Sequence, residues 1–175
     1  MASQSPIGDR SYGVVAIRYN PSINKATKVT WPTRTTSQVL LIQQKTIAGP
    51  PTHPPFWCFP KGHAEASDAS LEETAIRELR EETGLQLSLD DLILREENFR
   101  ETYVTPSRTA GKVVRYFVAV VKGEEAEREL TLQEKEVAGA RWCSWEEAEE
   151  MIRFEECREM FREIVKCLDQ RESLI

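Results

Sequence analysis

Residues 59–85 read FPKGHAEASDASLEETAIRELREETGL and join a glycine-bearing loop to a segment rich in glutamate. Ser70 is followed three residues later by Glu73, which is the pattern of a capping box, and Gly84 occupies the place of a left-handed helix terminator. These signals predict one helix over residues 70–83. Its apolar side would consist of Leu71, Ala75, Ile76 and Leu79.

Three glutamates crowd one face of this predicted helix. Glu78 and Glu82 lie four residues apart, and Glu81 lies beside them, so their charges repel one another unless a cation lies between them. Mg²⁺ prefers a few carboxylate oxygens together with water and substrate phosphates. The pattern therefore favours a divalent metal site, with a solvated acidic face as the alternative for any glutamate-rich helix.

The order of these residues resembles the conserved box of the Nudix hydrolases, whose first fixed glycine corresponds to Gly62. The second half of the box matches at every fixed position, namely Arg77, Glu78, Leu79, Glu81, Glu82, Gly84 and Leu85. The first half departs twice, because Asp68 stands where the family has glutamate and eight residues rather than seven separate it from Arg77. These departures put any role of Asp68 in question and leave the helical carboxylates in register.

The resemblance implies a metal-dependent hydrolase of phosphoanhydride bonds that uses Mg²⁺ or Mn²⁺. The metal ligands that it implies are Glu78, Glu81, Glu82 and the backbone carbonyl of Lys61. Arg77 would orient one of the helical carboxylates. Several family members also carry a glutamate five residues before an Arg-Trp pair, and here that spacing leads from Arg141 back to Glu136. Glu136 is thus expected to act as the general base or as a further ligand, with Glu134 as the second candidate.

Other residues resemble those of the asymmetric diadenosine tetraphosphatases within the family. These are the PKGH sequence at residues 60–63, Lys112 and the VVRYFVA segment that follows it. In this comparison Lys61, His63 and Lys112 contact phosphate, and Tyr116 stacks on a base or binds phosphate, although a tyrosine within an apolar strand can equally be plain core. The leading substrate is therefore a diadenosine polyphosphate, cleaved asymmetrically by a metal-activated water.

Other substrates and a non-enzymatic role stay open. A strongly basic pocket would favour a diphosphoinositol polyphosphate, whereas two aromatic faces about a base's thickness apart would favour a nucleotide. A capped RNA end and a nucleoside diphosphate conjugate are further alternatives. A catalytically silent binding module with the same fold is the non-enzymatic one, although such a module would be expected to lose a metal-binding carboxylate, and all are present.

Composition limits the class of protein. The chain has 175 residues, 40% of them apolar, and a formal charge of -6, which predicts one globular domain over residues 11–170 behind a disordered tail at residues 1–10. The negative charge argues against a general nucleic-acid groove and against an anionic membrane surface as a binding partner. A capped RNA end is the one nucleic-acid ligand that stays open. The cysteines show no paired ligand spacing and the start lacks the apolar core of a signal peptide, so we expect a protein of the cytoplasm, or also of the nucleus, with a small polyphosphate as its partner.

The remaining segments alternate between strand and helix patterns. Strands are predicted at residues 12–19, 38–44, 56–59, 92–95, 98–105, 112–121 and 141–144, and helices at residues 145–152 and 155–169. The nearly continuous apolar run at residues 113–121 is typical of a strand buried on both faces. Strands around a central helix, with helices at the end, predict an α/β (α+β) fold. The resemblance implies the same α/β/α sandwich, a mixed sheet between helices.

Overall fold

The computed structural model describes residues 7–22, 31–46, 54–104 and 111–172. Its strands are β1 (Ile7–Tyr19), β2 (Ser37–Gln44), β3 (Phe56–Cys58), β4 (Lys61–Gly62), β5 (Leu92–Leu94), β6 (Arg100–Val104), β7 (Gly111–Val121) and β8 (Val137–Cys143). Its α-helices are α1 (Leu71–Thr83), α2 (Trp145–Met151) and α3 (Glu155–Glu172), and 3₁₀ turns lie at Leu89–Asp91 and Gly123–Glu127. No helix in these ranges is both long and apolar enough to cross a membrane.

The strands form one mixed sheet. Its main order is β3-β2-β1-β7-β5, while β4 pairs with β1, β6 with β7 and β8 with β2. β1 and β7 run parallel, and Gly13 lies opposite Tyr116. The other named pairs are antiparallel. The predicted mixed sheet is therefore confirmed.

Helices cover both faces of this sheet. Successive side chains of a strand point to opposite faces, and in β1 Val14 and Ala16 pack with Leu79 of α1. Val15 on the other face packs with Phe161 of α3. The layers are thus helix, sheet and helix, as predicted, and the apolar side chains of Met160, Phe161, Ile164 and Leu168 in α3 belong to the core.

Local capping fixes the ends of α1. The Ser70 hydroxyl accepts the Glu73 N–H at 3.1 Å, and the Glu73 carboxylate accepts the N–H of Ala69 at 3.0 Å. At the other end Gly84 adopts the left-handed conformation, with φ 80°, and donates its N–H to the Arg80 carbonyl at 2.8 Å. The predicted helix is confirmed, and its carboxylates are held in a defined register.

Two strands begin several residues earlier than predicted, because their extra residues pair with distant partners. β1 begins at Ile7, so residues 7–10, which were expected to belong to the tail, lie in the sheet beside β7. β8 begins at Val137, which lies opposite Gln44 of β2. Residues 1–6 of the expected tail, residue 105 of the strand predicted at 98–105, and the connecting segments at residues 23–30, 47–53 and 106–110 lie outside the described residues.

Candidate active site

A cleft of about 460 Å³ opens between α1, β4 and the segment that precedes β8. Seven of the predicted site residues line it, namely Lys61, His63, Arg77, Glu78, Glu81, Lys112 and Glu136. Its lining is completed by Ser11, Gln44, Gly62, Glu65 and Gln133. Residues far apart in the sequence are therefore brought together where the resemblance places the chemistry.

Glu82 lies buried beneath this cleft, with 1% of its surface exposed. Its Oε2 accepts the backbone N–H of Lys61 at 3.0 Å, whereas its Oε1 is buried and has no hydrogen-bond partner in the described part of the chain. Burial raises the pKa of the Glu82 carboxyl to about 8; Lys61 opposes this shift, and Glu78 and Glu136 add to it. An unpartnered buried oxygen is costly, so Oε1 is suited to bind a cation.

Gly62 leaves room for the Glu78 carboxylate. A Cβ atom at this position would lie 2.1 Å from Cδ of Glu78, which is closer than any contact that real Cβ atoms make. Burial also raises the pKa of Glu78, and Arg77 opposes that shift. The first glycine of the box is thus required by the close approach of a carboxylate to the backbone.

Arg77 connects the loop before α1 with the carboxylates on the helix. Its Nε donates to Oδ1 of Asp68 at 3.0 Å, and its Nη2 donates to the His63 carbonyl at 2.7 Å. Its Nη1 donates to Glu78 at 3.0 Å and to Glu81 at 3.1 Å. This geometry supports the orienting role that the resemblance implies for Arg77.

Asp68 is the anchor of this arginine. The hydrogen bonds from Arg77, together with the backbone N–H of Glu65 and the Thr74 hydroxyl, hold the pKa of the Asp68 carboxyl well below its usual range. The extra residue of the box lies between Asp68 and Arg77 in the sequence, and the shorter side chain of Asp68 still reaches Arg77. The departure from the family pattern is accommodated without loss of this contact.

The carboxylates of Glu78, Glu81 and Glu82 fit a hard divalent cation in their chemistry, because they offer oxygens and Oε1 of Glu82 has no partner in the ranges that the structure describes. The charge of Glu136 also contributes to the raised pKa of both Glu78 and Glu82, so the three carboxylates lie near one another. In the arrangement seen here, no three His, Cys, Asp or Glu side chains among the described residues form a ready group of ligands. Instead, Arg77 binds Glu78 and Glu81.

The segment before β8 is tied to the end of α1. The N–H of Thr131 donates to the Thr83 carbonyl at 2.9 Å, and that of Gln133 donates to the Glu82 carbonyl at 3.3 Å. These bonds bring Glu136 to the cleft, whereas Glu134 is exposed and does not line it. The geometry thus favours Glu136 over Glu134.

Asp9 holds two of the predicted phosphate-contacting residues. Its Oδ1 lies 2.7 Å from Nε2 of His63, and its Oδ2 lies 3.5 Å from Nζ of Lys112. Asp9 reaches them because β1 pairs with β7 in parallel, which places it opposite Lys112. Sequence reasoning missed Asp9 because it lies in the segment expected to be a tail.

Lys61 turns its side chain inward. Its Nζ donates to the Gln44 amide oxygen and lies 3.8 Å from Sγ of Cys58. Burial by itself lowers the pKa of Lys61, but Cys58, Glu82 and Glu101 raise it above its usual value. The ammonium group is therefore held charged at the inner wall of the cleft.

The prediction that Tyr116 contacts the substrate is wrong, because its side chain is fully buried. Its hydroxyl donates to Oε1 of Glu101 at 2.8 Å, and its ring packs edge-on against Phe59 with centroids 5.7 Å apart. β7 is buried on both faces at this point, so Tyr116 belongs to the core, which was the alternative interpretation.

A second, more apolar cavity of about 230 Å³ adjoins the cleft and shares Gln44, Lys61 and Lys112 with it. We call it the aromatic slot. The rings of Tyr103 and Phe154 are nearly parallel, with an interplanar angle of 13° and centroids 6.5 Å apart. Sequence reasoning missed both residues, since they lie on separate elements and no local pattern pairs them.

Comparison with known proteins identifies the family. The NUDIX domain model matches residues 25–163. The asymmetrical bis(5'-nucleosyl)-tetraphosphatases of Mus musculus and Rattus norvegicus are each 36% identical over 107 residues, which cover 61% of this chain and 68% of the relative. The crystal structure of a C. elegans Ap4A hydrolase binary complex shares the fold, with a TM-score of 0.63 at 23% identity over 93% of this chain and 98% of that one. The chain therefore belongs to the Nudix family of pyrophosphate-bond hydrolases.

Proposed function

We propose that this Nudix hydrolase cleaves a dinucleoside polyphosphate, with diadenosine tetraphosphate as the leading substrate and asymmetric cleavage to ATP and AMP. The observation that carries the proposal is the aromatic slot, which opens onto the carboxylate-lined cleft. The tetraphosphatases of mouse and rat, as relatives, support the same choice.

The dimensions of the slot suit a nucleobase. A base stacked between two rings needs about 7 Å between them, since each pair of facing carbon atoms is optimal at about 3.5 Å. The ring centroids of Tyr103 and Phe154 lie 6.5 Å apart, their planes are 13° from parallel, and Phe154 is 45% exposed, so its ring can move to admit a base. A planar base is therefore the ligand that this slot fits best.

The phosphates would follow from the slot into the cleft. Lys61 and Lys112 line both cavities, so their positive charges lie along the path of the polyphosphate as it leaves the base. His63 lies further along the cleft, on the Asp9 carboxylate. These residues supply positive charge without a dense basic cluster.

Nudix hydrolases generally use divalent metal ions, and here we assign Mg²⁺ or Mn²⁺ to Glu78, Glu81, Glu82 and the Lys61 carbonyl. Such an ion, when bound, neutralises phosphate charge and lowers the pKa of the attacking water. Glu136 lines the cleft and is assigned the general base that accepts the proton of this water. Arg77 holds Glu78 in position for binding.

The charge of the cleft argues against a diphosphoinositol polyphosphate. Its four basic residues, Lys61, His63, Arg77 and Lys112, face four acidic ones, Glu65, Glu78, Glu81 and Glu136. An inositol polyphosphate carries many phosphates around one ring and needs a strongly basic pocket. It also has no flat face for the aromatic slot.

Substrate profiling tests the proposal. The purified protein with Mg²⁺ or Mn²⁺ is assayed on diadenosine tetraphosphate, a diphosphoinositol polyphosphate, capped RNA and nucleoside triphosphates. We expect diadenosine tetraphosphate to be cleaved to ATP and AMP, and we expect Glu82→Gln to lose this activity. Phe154→Ala should raise KM for the dinucleotide about tenfold, because stacking contributes roughly 1–3 kcal/mol per base.

The matched control is Leu89→Ala, which truncates another exposed apolar side chain that does not line the slot. Faster cleavage of the inositol or capped substrate, or full activity in Glu82→Gln, would contradict the assignment. If the folded protein hydrolyses none of these substrates, the result would favour the alternative of a catalytically silent binding module.

A further inference from the structure

Glu101 is a buried acid in the wall of the aromatic slot, and the proposed reaction does not use it. It lies two residues from Tyr103 on β6, so the two side chains point to the same face of the strand. Only 5% of its surface is exposed, and it lines the same cavity as Tyr103 and Phe154. Burial of a carboxyl beside aromatic rings is costly unless polar partners meet it.

The carboxyl group of Glu101 is held in one orientation. Its Oε1 accepts the Tyr116 hydroxyl at 2.8 Å, and Tyr116 is itself fixed in the core. The Cys157 thiol, which is a weak donor, is its other hydrogen-bonding neighbour. A carboxylate offers about four lone-pair sites, so Glu101 retains the capacity to accept a further N–H from the slot.

We propose that Glu101 reads the edge of the base that stacks between Tyr103 and Phe154. Its carboxylate accepts a hydrogen bond from an exocyclic amine, which makes the slot selective for adenine over an otherwise identical purine without that amine. The inference rests on the proposed function, because it assigns the slot to a nucleobase.

The physical reason is the cost of an unmet acceptor. When adenine occupies the slot, water is displaced from Glu101 and the amine replaces it. When purine without the amine occupies the slot, the same water is displaced and a C–H group faces the carboxylate. A buried acceptor left without a donor weakens binding by about tenfold or more.

The experiment measures binding of AMP and of purine riboside 5'-monophosphate by titration calorimetry. These two ligands differ only in the 6-amino group. We expect the wild-type protein to bind AMP about tenfold more tightly than purine riboside 5'-monophosphate. Phe154→Ala should weaken the binding of both ligands by the same factor. In Glu101→Gln the carboxamide still accepts from Tyr116 but presents its NH₂ group to the base, so the preference for AMP should fall to about one.

The matched control is Thr102→Ala, an exposed neighbour on the opposite face of β6, which should leave the preference unchanged. Equal binding of the two nucleotides by the wild-type protein overturns the inference, even if Glu101→Gln does not fold. An AMP preference that survives in a folded Glu101→Gln variant overturns it as well. Because this readout is binding, it is separate from hydrolysis: a protein that prefers AMP but cleaves no dinucleotide would overturn the proposed function alone.

Discussion

Replacing Glu82 with glutamine should stabilise the metal-free protein while it abolishes hydrolysis. The Glu82 carboxyl is buried, its Oε1 has no hydrogen-bond partner among the described residues, and burial raises its pKa from the usual 4.5 to about 8. The unfolded chain releases this proton near pH 4.5, and the folded protein releases it only near pH 8. Between these values the folded state binds more protons, so the free energy of unfolding falls as the pH rises.

The size of the effect follows from the same shift. At about 1.4 kcal/mol for each pH unit, the full loss across this window is at most about 5 kcal/mol. Glutamine keeps an acceptor for the Lys61 N–H, which Oε2 accepts at 3.0 Å in the wild-type protein, but it loses the attraction between the carboxylate and the Lys61 ammonium. We therefore expect Glu82→Gln to be more stable than the wild-type protein by about 2 kcal/mol at pH 8.5, and by less at pH 5.5.

Urea unfolding in the presence of a chelator, at intervals from pH 5.5 to pH 9, measures this difference. The matched control is Glu81→Gln on the same helix; its side chain is 40% exposed, so its substitution should change stability by under about 0.5 kcal/mol. Parallel pH profiles for the wild-type protein and Glu82→Gln, or a less stable variant at pH 8.5, would refute the reasoning.

Addition of Mg²⁺ should make the wild-type protein more stable than Glu82→Gln. A ligand present at a hundred times its dissociation constant stabilises the folded state by about 2.7 kcal/mol. The wild-type protein should gain this stability, and Glu82→Gln should gain much less because one of its ligands is gone. An equal gain in both proteins would show that Glu82 does not bind the ion.

Three further substitutions address the rest of the cleft. Gly62→Ala should lower Mg²⁺ affinity at least about tenfold in calorimetry with little loss of stability, because its Cβ displaces the flexible Glu78 carboxylate; full affinity would contradict this. Arg77→Lys should lower kcat and Mg²⁺ affinity together, since lysine cannot reproduce the forked hydrogen bonds, and an unchanged Mg²⁺ titration would argue against the orienting role. Glu136→Gln should lower kcat by about 10²–10⁴ with the metal still bound, whereas Glu134→Gln should have little effect; the reverse pattern in steady-state kinetics would move the base to Glu134.

The helix at the centre of the site was predictable because its signals are local. Ser70 and Gly84 cap α1 at the expected ends, and the four-residue spacing of Glu78 and Glu82 sets them on one face whatever the rest of the chain does. Runs rich in apolar, β-branched and aromatic residues likewise predicted most strands. Their lengths were less predictable, because the first residues of β1 and β8 are strand only through pairing with β7 and β2.

The sequence by itself thus determined the family box, the register of its carboxylates and the layers of the fold. Only the tertiary structure decided which other side chains meet at the cleft. Asp9 reaches Lys112 through parallel pairing across the sheet, and Tyr103 faces Phe154 from a separate element. Tyr116 was predicted to contact the substrate, but its side chain lies in the core because β7 is buried on both faces at this point. Capping and helical spacing act over a few residues, whereas these contacts depend on how distant strands pair.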